Sequence, residues 1–169
     1  YSVTVEDPAN GCTAIAIEQV QADLTPPQVT ISTPAILTCV VLDTDLDGST
    51  NVPNAAFEWS TSELTPSINV TVPNTYTLTI TNTDNGCTAS NAVTVAQNIV
   101  VPSVSISTPV PHGCAIASQV WTSTTNAVKP SFAWSTSASA SSVTITNSGI
   151  FSVTVTNGVN GCTALASQT

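Results

Sequence analysis

One phrase returns along this chain at a fixed interval. Tyr1-Ser-Val-Thr-Val, followed by Asn10-Gly11-Cys12-Thr13-Ala14, reappears as Tyr76-Thr-Leu-Thr-Ile with Asn85-Gly86-Cys87-Thr88-Ala89. It reappears again as Phe151-Ser-Val-Thr-Val with Asn160-Gly161-Cys162-Thr163-Ala164. The interval is 75 residues both times, and a second set of phrases keeps it: Pro27 to Pro34 matches Pro102 to Pro109, Phe57-Glu-Trp59 matches Phe132-Ala-Trp134, and Cys39 matches Cys114. No insertion or deletion breaks the register. A unit of this size is too long for a solenoid turn and is that of a small domain with its own core.

The period divides the chain. Residues 1–25 read as the C-terminal strands of a preceding repeat, 26–99 as a complete repeat, and 100–169 as a repeat with its last strand truncated. The odd start, at Tyr1 and already in a strand pattern, reads as a stretch of a longer protein. The joints fall at Leu24-Thr25-Pro26-Pro27 and Ile99-Val100-Val101-Pro102, short and stiffened by proline.

Within a repeat, apolar residues alternate with Ser and Thr over short runs. Val29 and Ile31 define one face, Leu37, Cys39 and Val41 a second, Phe57 and Trp59 a third. Ile68, Val70 and Val72 follow, then Tyr76, Leu78 and Ile80, then Val93 and Val95. Period-two alternation means strands with one buried and one wet face. Asn85-Gly86 separates the last two strands as a hairpin turn does. No segment carries a 3.6-residue period. Six or seven short strands with a Trp on the third predict an all-β chain of tandem Ig-like antiparallel β-sandwich domains.

The cysteines predict one disulfide per repeat: Cys39 with Cys87, and Cys114 with Cys162, each stapling a sandwich across its sheets. Closing such a loop contributes about 4 kcal/mol in the chain-entropy model. Cys12 is left over, and its partner is expected about 48 residues upstream of it, before Tyr1, on the same spacing. The alternative is buried free thiols. Persistent disulfides imply an oxidising compartment. The spacing departs from antibody domains, because Cys87 follows the hairpin turn instead of lying two residues beyond the Tyr.

Composition narrows the function. The net charge is −9, with one Lys or Arg residue in 169. Nucleic acid needs cationic side chains to neutralise phosphate, so it is not an expected partner, nor is an anionic membrane surface. No run approaches the length of a membrane-spanning helix, so direct membrane insertion is not expected either. All the acidic residues lie between Glu6 and Asp84. The last repeat is almost uncharged, which removes like-charge repulsion and would permit homotypic lateral association.

The combination of aromatic-x-Val-Thr-Val-Thr, Asn-Gly-Cys-Thr-Ala, Pro-x-Val-x-Ile-Ser-Thr-Pro and Trp-Ser-Thr-Ser resembles the Ig-like and PKD-like tandem repeats of large Bacteroidota surface adhesins, the gliding-motility adhesins among them. The likeness covers the whole chain. It implies export by the type IX system and display as an extracellular filament at the cell surface.

Asp43-Thr-Asp45-Leu-Asp47-Gly48 is the sharpest local motif. Oxygen ligands at alternate positions with a closing glycine are what a calcium loop needs, so calcium is the one cofactor to consider, with Asp43, Asp45 and Asp47 as ligands. The competing reading is a solvated acidic turn. The twelfth position is Asn54 where an EF-hand has Glu, and the next repeat has Ser118, Val120 and Thr122 instead. Asn69-Val-Thr71 is a sequon, expected to be unused. His112 has no second histidine to form a metal site. Trp59 and Trp134 read as core, and Trp121, which replaces Leu46, as core or a surface contact for glycans. Glu58 and Glu63 are not repeated at Ala133 and Ala138. No acid in the last repeat orients His112 for a triad, so an enzyme is not expected. The expected function is a structural or adhesive filament segment whose partners are neighbouring repeats; the alternative is a spacer or carbohydrate-binding module of a secreted enzyme.

Overall fold

A computed structural model describes residues 1–110 and 117–169; His112 and Cys114 lie outside the described residues. The chain is all-β. A hairpin of β1 (Ser2–Glu6) and β2 (Thr13–Ile17) comes first, and two sandwiches follow. The earlier sandwich packs a sheet of β3 (Thr30–Ile31), β5 (Thr44–Ser49) and β7 (Ser67–Val70) on a sheet of β6 (Ala55–Trp59), β8 (Thr75–Asn82) and β9 (Thr88–Thr94). The later one packs β11 (Val104–Ile106), β12 (Gln119–Thr125) and β14 (Ser142–Ile145) on β13 (Ser131–Trp134), β15 (Phe151–Thr156) and β16 (Thr163–Gln168). Every pairing inside these sheets is antiparallel, and the chain alternates between the two layers from β5 through β8 and from β12 through β15, as in Ig-like folds. The short strands β4 (Leu37–Thr38) and β10 (Gln97–Asn98) pair parallel to each other as a separate two-stranded sheet.

Alternation builds each core. Along β8, Tyr76, Leu78, Ile80 and Asn82 point inward while the threonines between them stay partly wet. They meet Leu37, Leu46, Trp59, Ile68, Val70 and Val95. The second core gathers Trp121, Trp134, Ile145, Val153 and Val155, and is separate from the first. The Trp59 indole N–H donates to the Thr65 carbonyl, and Trp134 donates to the equivalent Ala140 carbonyl, both at 2.9 Å. Both tryptophans are buried, so neither is a sugar platform. Trp121 is also buried, at 3% exposure, with its ring edge-on to Phe151 at 5.6 Å.

Two expectations are corrected. Leu37, Cys39 and Val41 do not form the second strand of the sandwich. Only Leu37–Thr38 is extended there, Leu37 alone is buried, and Thr38 turns the chain by bonding its N–H to the Val41 carbonyl at 2.8 Å. The second strand is instead β5, the acidic run. Leu46 is fully buried within it, and Asp45 and Asp47 alternate outward. Asp43 lies just before β5, and an extended chain spaces same-face side chains about 6.8 Å apart, so Asp45 and Asp47 do not converge as a calcium loop requires. Asp45 accepts from the Asn69 side-chain amide at 2.8 Å and Asp47 from the Ser67 hydroxyl at 2.6 Å. Among the described residues, no three His, Cys, Asp or Glu side chains gather as metal ligands would.

Candidate functional site: the joint between the sandwiches

The chain's chemistry is concentrated where one sandwich meets the next. The disulfide joins Cys39 to Cys162, 123 residues apart, with a Cα–Cα distance of 5.0 Å. The expected pairs Cys39–Cys87 and Cys114–Cys162 are therefore corrected. Cys87 is a free, partly buried thiol and Cys12 a free, exposed one. The reason is positional. Cys39 lies beyond Leu37 on the exposed loop that faces the joint, not on an inner strand face, so it cannot reach across its own sheets. Its near neighbour is the hairpin tip of the following sandwich: the Cys39 N–H donates to the Asn160 carbonyl at 3.1 Å.

That hairpin tip is set by local rules. Asn157 N–H bonds to the Cys162 carbonyl, Gly161 N–H to the Asn157 carbonyl, both at 2.8 Å, and the Asn160 side-chain oxygen accepts from the Cys162 N–H at 3.0 Å. Gly161 has φ +69°, a left-handed conformation that glycine adopts without strain. Its missing side chain matters too: a methyl group there would come within 2.5 Å of Val40 Cγ1. Val40 thus sits directly on the glycine beside the disulfide.

The linker is the third component. After β9 the chain runs through β10, which pairs with β4, so the Leu37–Thr38 strand and the linker advance side by side toward the next sandwich. Asn160 holds the linker at its far end. Its side-chain amide donates to Asn98 Oδ1 and to the Val100 carbonyl, both at 3.0 Å. Asn160 is 1% exposed and Cys162 1%. Pro102, the last residue of the joint, is buried, as is its counterpart Pro27. Linker pairing, loop-on-turn packing and a covalent bond together fix the two sandwiches end to end.

Half of this arrangement recurs one period earlier. The Asn85 side-chain amide donates to the Thr25 carbonyl at 3.1 Å, as Asn160 does to Val100. Asp23 stands where Asn98 stands. The Thr25 backbone N–H, then the Thr25 hydroxyl, hold the Asp23 carboxyl below the usual carboxylate range, and Asn85 adds to this. Cys12, Cys87 and Cys162 thus occupy equivalent hairpin tips, of which only the last is bonded.

The sequence marks Asn85-Gly86, which recurs as Asn160-Gly161, as a turn but not as a docking surface. The available signal was that Asn, Gly and Cys recur together at all three tips, which is more than a hairpin turn needs. Val40 gave no signal, since its counterpart is Ala115. Among the described residues, no helix is long and apolar enough to cross a membrane, and the disulfide fits an oxidising, extracellular-compatible environment. No family model and no curated protein matches the chain.

Proposed function

We propose that this chain is a structural segment of a cell-surface filament or giant adhesin, a non-enzymatic array of β-sandwich beads whose direction is fixed at each joint. The observation that carries this reading is the Cys39–Cys162 bond between successive sandwiches. A disulfide inside a sandwich stabilises that domain. One between sandwiches, backed by the β4–β10 pairing, resists bending and pulling, which is what a thread must do. Surface display, gliding motility and export by the type IX route follow as parts of the same reading. The sugar-binding alternative loses its footing, because Trp59, Trp121 and Trp134 are all buried.

Small-angle scattering on the purified chain tests the joint. Oxidised, it should give one elongated particle with a narrow range of dimensions. Reduced, it should broaden and bend, while tryptophan fluorescence from the two cores stays native, since neither core depends on the cross-link. Loss of core structure on reduction would count against the reading. Electron microscopy of the native assembly should show threads one sandwich wide; wider bundles would point to lateral association between the nearly uncharged last sandwiches.

A further inference from the structure

Cys87 is not a spare thiol. We infer that it is the receiving half of a second inter-sandwich disulfide, whose other half is the Cys39-type cysteine of the repeat immediately N-terminal to it in the same polypeptide. The assignment rests on the reading of the chain as a stretch of a tandem array, and goes beyond it by naming the covalent partner.

Three observations converge on this occupant. First, the Cys87 tip is built for the bond in the same way as the Cys162 tip. Gly86 has φ +75° against +69° at Gly161. Cys87 N–H bonds to Asn85 Oδ1 at 2.9 Å, against 3.0 Å for Cys162 and Asn160. Asn82 N–H bonds to the Cys87 carbonyl at 2.9 Å, against 2.8 Å for Asn157 and Cys162.

Second, the surface that carries the Val40 loop at Gly161 is bare at Gly86. A methyl group at Gly161 meets three atoms of Val40, whereas one at Gly86 meets nothing within 4 Å. The thiol beside it is partly exposed, while Cys162 is sealed.

Third, the linker of the preceding repeat is already seated. Thr25 lies on Asn85 as Val100 lies on Asn160. The hairpin before that linker shows the inner face of a sandwich: Val3 and Val5, equivalents of Leu78 and Ile80, are 57% and 62% exposed where their counterparts are fully buried. In a tandem array the body that completes that hairpin carries a loop equivalent to that of Cys39 and Val40, and the seated linker directs it toward Gly86.

The bond forms as the observed one does. Two thiols lose two protons and two electrons to the thiol–disulfide exchange system of the oxidising compartment, and an S–S bond replaces two S–H bonds. The consequence is a staggered ladder. Each repeat gives one cysteine forward from its exposed loop and one backward from its hairpin tip, so the covalent loops of successive joints overlap and no joint hangs on its linker alone.

Disulfide mapping of the native full-length polypeptide tests this. The protein is alkylated before lysis, digested without reduction using pepsin, and analysed by mass spectrometry. The expected result is the Asn85-Gly86-Cys87 peptide bonded to a Cys39-type loop peptide other than that of Cys39, with Cys39–Cys162 in the same digest. On a non-reducing gel the protein should run as a single chain. Recovery of Cys87 as an alkylated free thiol, or bonded to Cys39, overturns the assignment. So does a ladder of multimers that collapses on reduction, because the partner would then lie in another chain. If the array reading itself fails, the full-length chain will contain no upstream copy of the loop; if only the cross-link fails, that loop will be present and alkylated.

Discussion

Position 48 shows how closely single residues are tuned in these sandwiches. Gly48 lies on β5 where any side chain would collide with Leu78 and come within 3.2 Å of the Pro66 carbonyl. The later sandwich has Ser123 there, and the residue opposite is Val153, smaller than Leu78. The pair has exchanged volume between sheets, as close-packed interiors require. Gly48→Ala should therefore cost about 1–3 kcal/mol, as overpacking does, and most of that loss should vanish in a Leu78→Val background. Urea unfolding of the three variants measures it. The exchange leaves a residue behind, since Ser123 Oγ and Trp121 Nε1 are buried without a hydrogen-bond partner. At the acidic run, calcium in millimolar excess should leave the melting temperature unchanged, because Asp45 and Asp47 already serve Asn69 and Ser67. A rise in melting temperature reversed by EDTA would contradict the strand geometry.

Among elements, the hairpin tips are the connectors. Asn160 satisfies three backbone or side-chain groups at once, two on the linker and one in its own turn. Asn160→Ala would leave the buried Cys162 N–H without its partner, at about 1–3 kcal/mol for an unsatisfied buried group, and would release the linker at Val100. The loss should appear as faster amide exchange at Cys162 and at β10, with β15 and β16 little affected beyond their tip. Exchange that speeds up across the whole later sandwich would instead make Asn160 a core residue. Much of this level was legible. The alternation at Tyr76, Leu78 and Ile80 marked β8, and Phe57 and Trp59 marked β6, because a period of two with one apolar face has few other meanings. The run at 37–41 misled because its alternation was real but its burial was not: only Leu37 turns toward a core. The acidic run misled in the opposite sense, since β5 puts a single large apolar residue, Leu46, inward and displays charge on its free face.

In the whole molecule, the cross-link decides how force travels. Pulled by its ends, the oxidised chain cannot extend the 123-residue stretch between Cys39 and Cys162. Reduction should release about 430 Å of further contour length, at about 3.5 Å per residue. Single-molecule stretching with and without reductant reads this directly. An unchanged contour length would mean that the bond does not bridge the sandwiches. The same bond makes the joint the redox-sensitive part of the molecule and leaves the two cores outside its influence.

The 75-residue period, the all-β class, the strand alternation and the tryptophans at 59 and 134 were determined by the sequence alone, because each is a local or translational property that a linear string can carry. Which cysteine bonds to which was not. A perfect repeat is blind to the difference between partners in one unit and partners in the next: from Cys39, the cysteines 48 residues ahead and 123 residues ahead occupy identical positions in their repeats. Only the tertiary structure breaks that degeneracy. It places the Cys39 loop at the exit end of one sandwich and the Asn160-Gly161-Cys162 tip at the entry end of the next, where the linker has already brought them together.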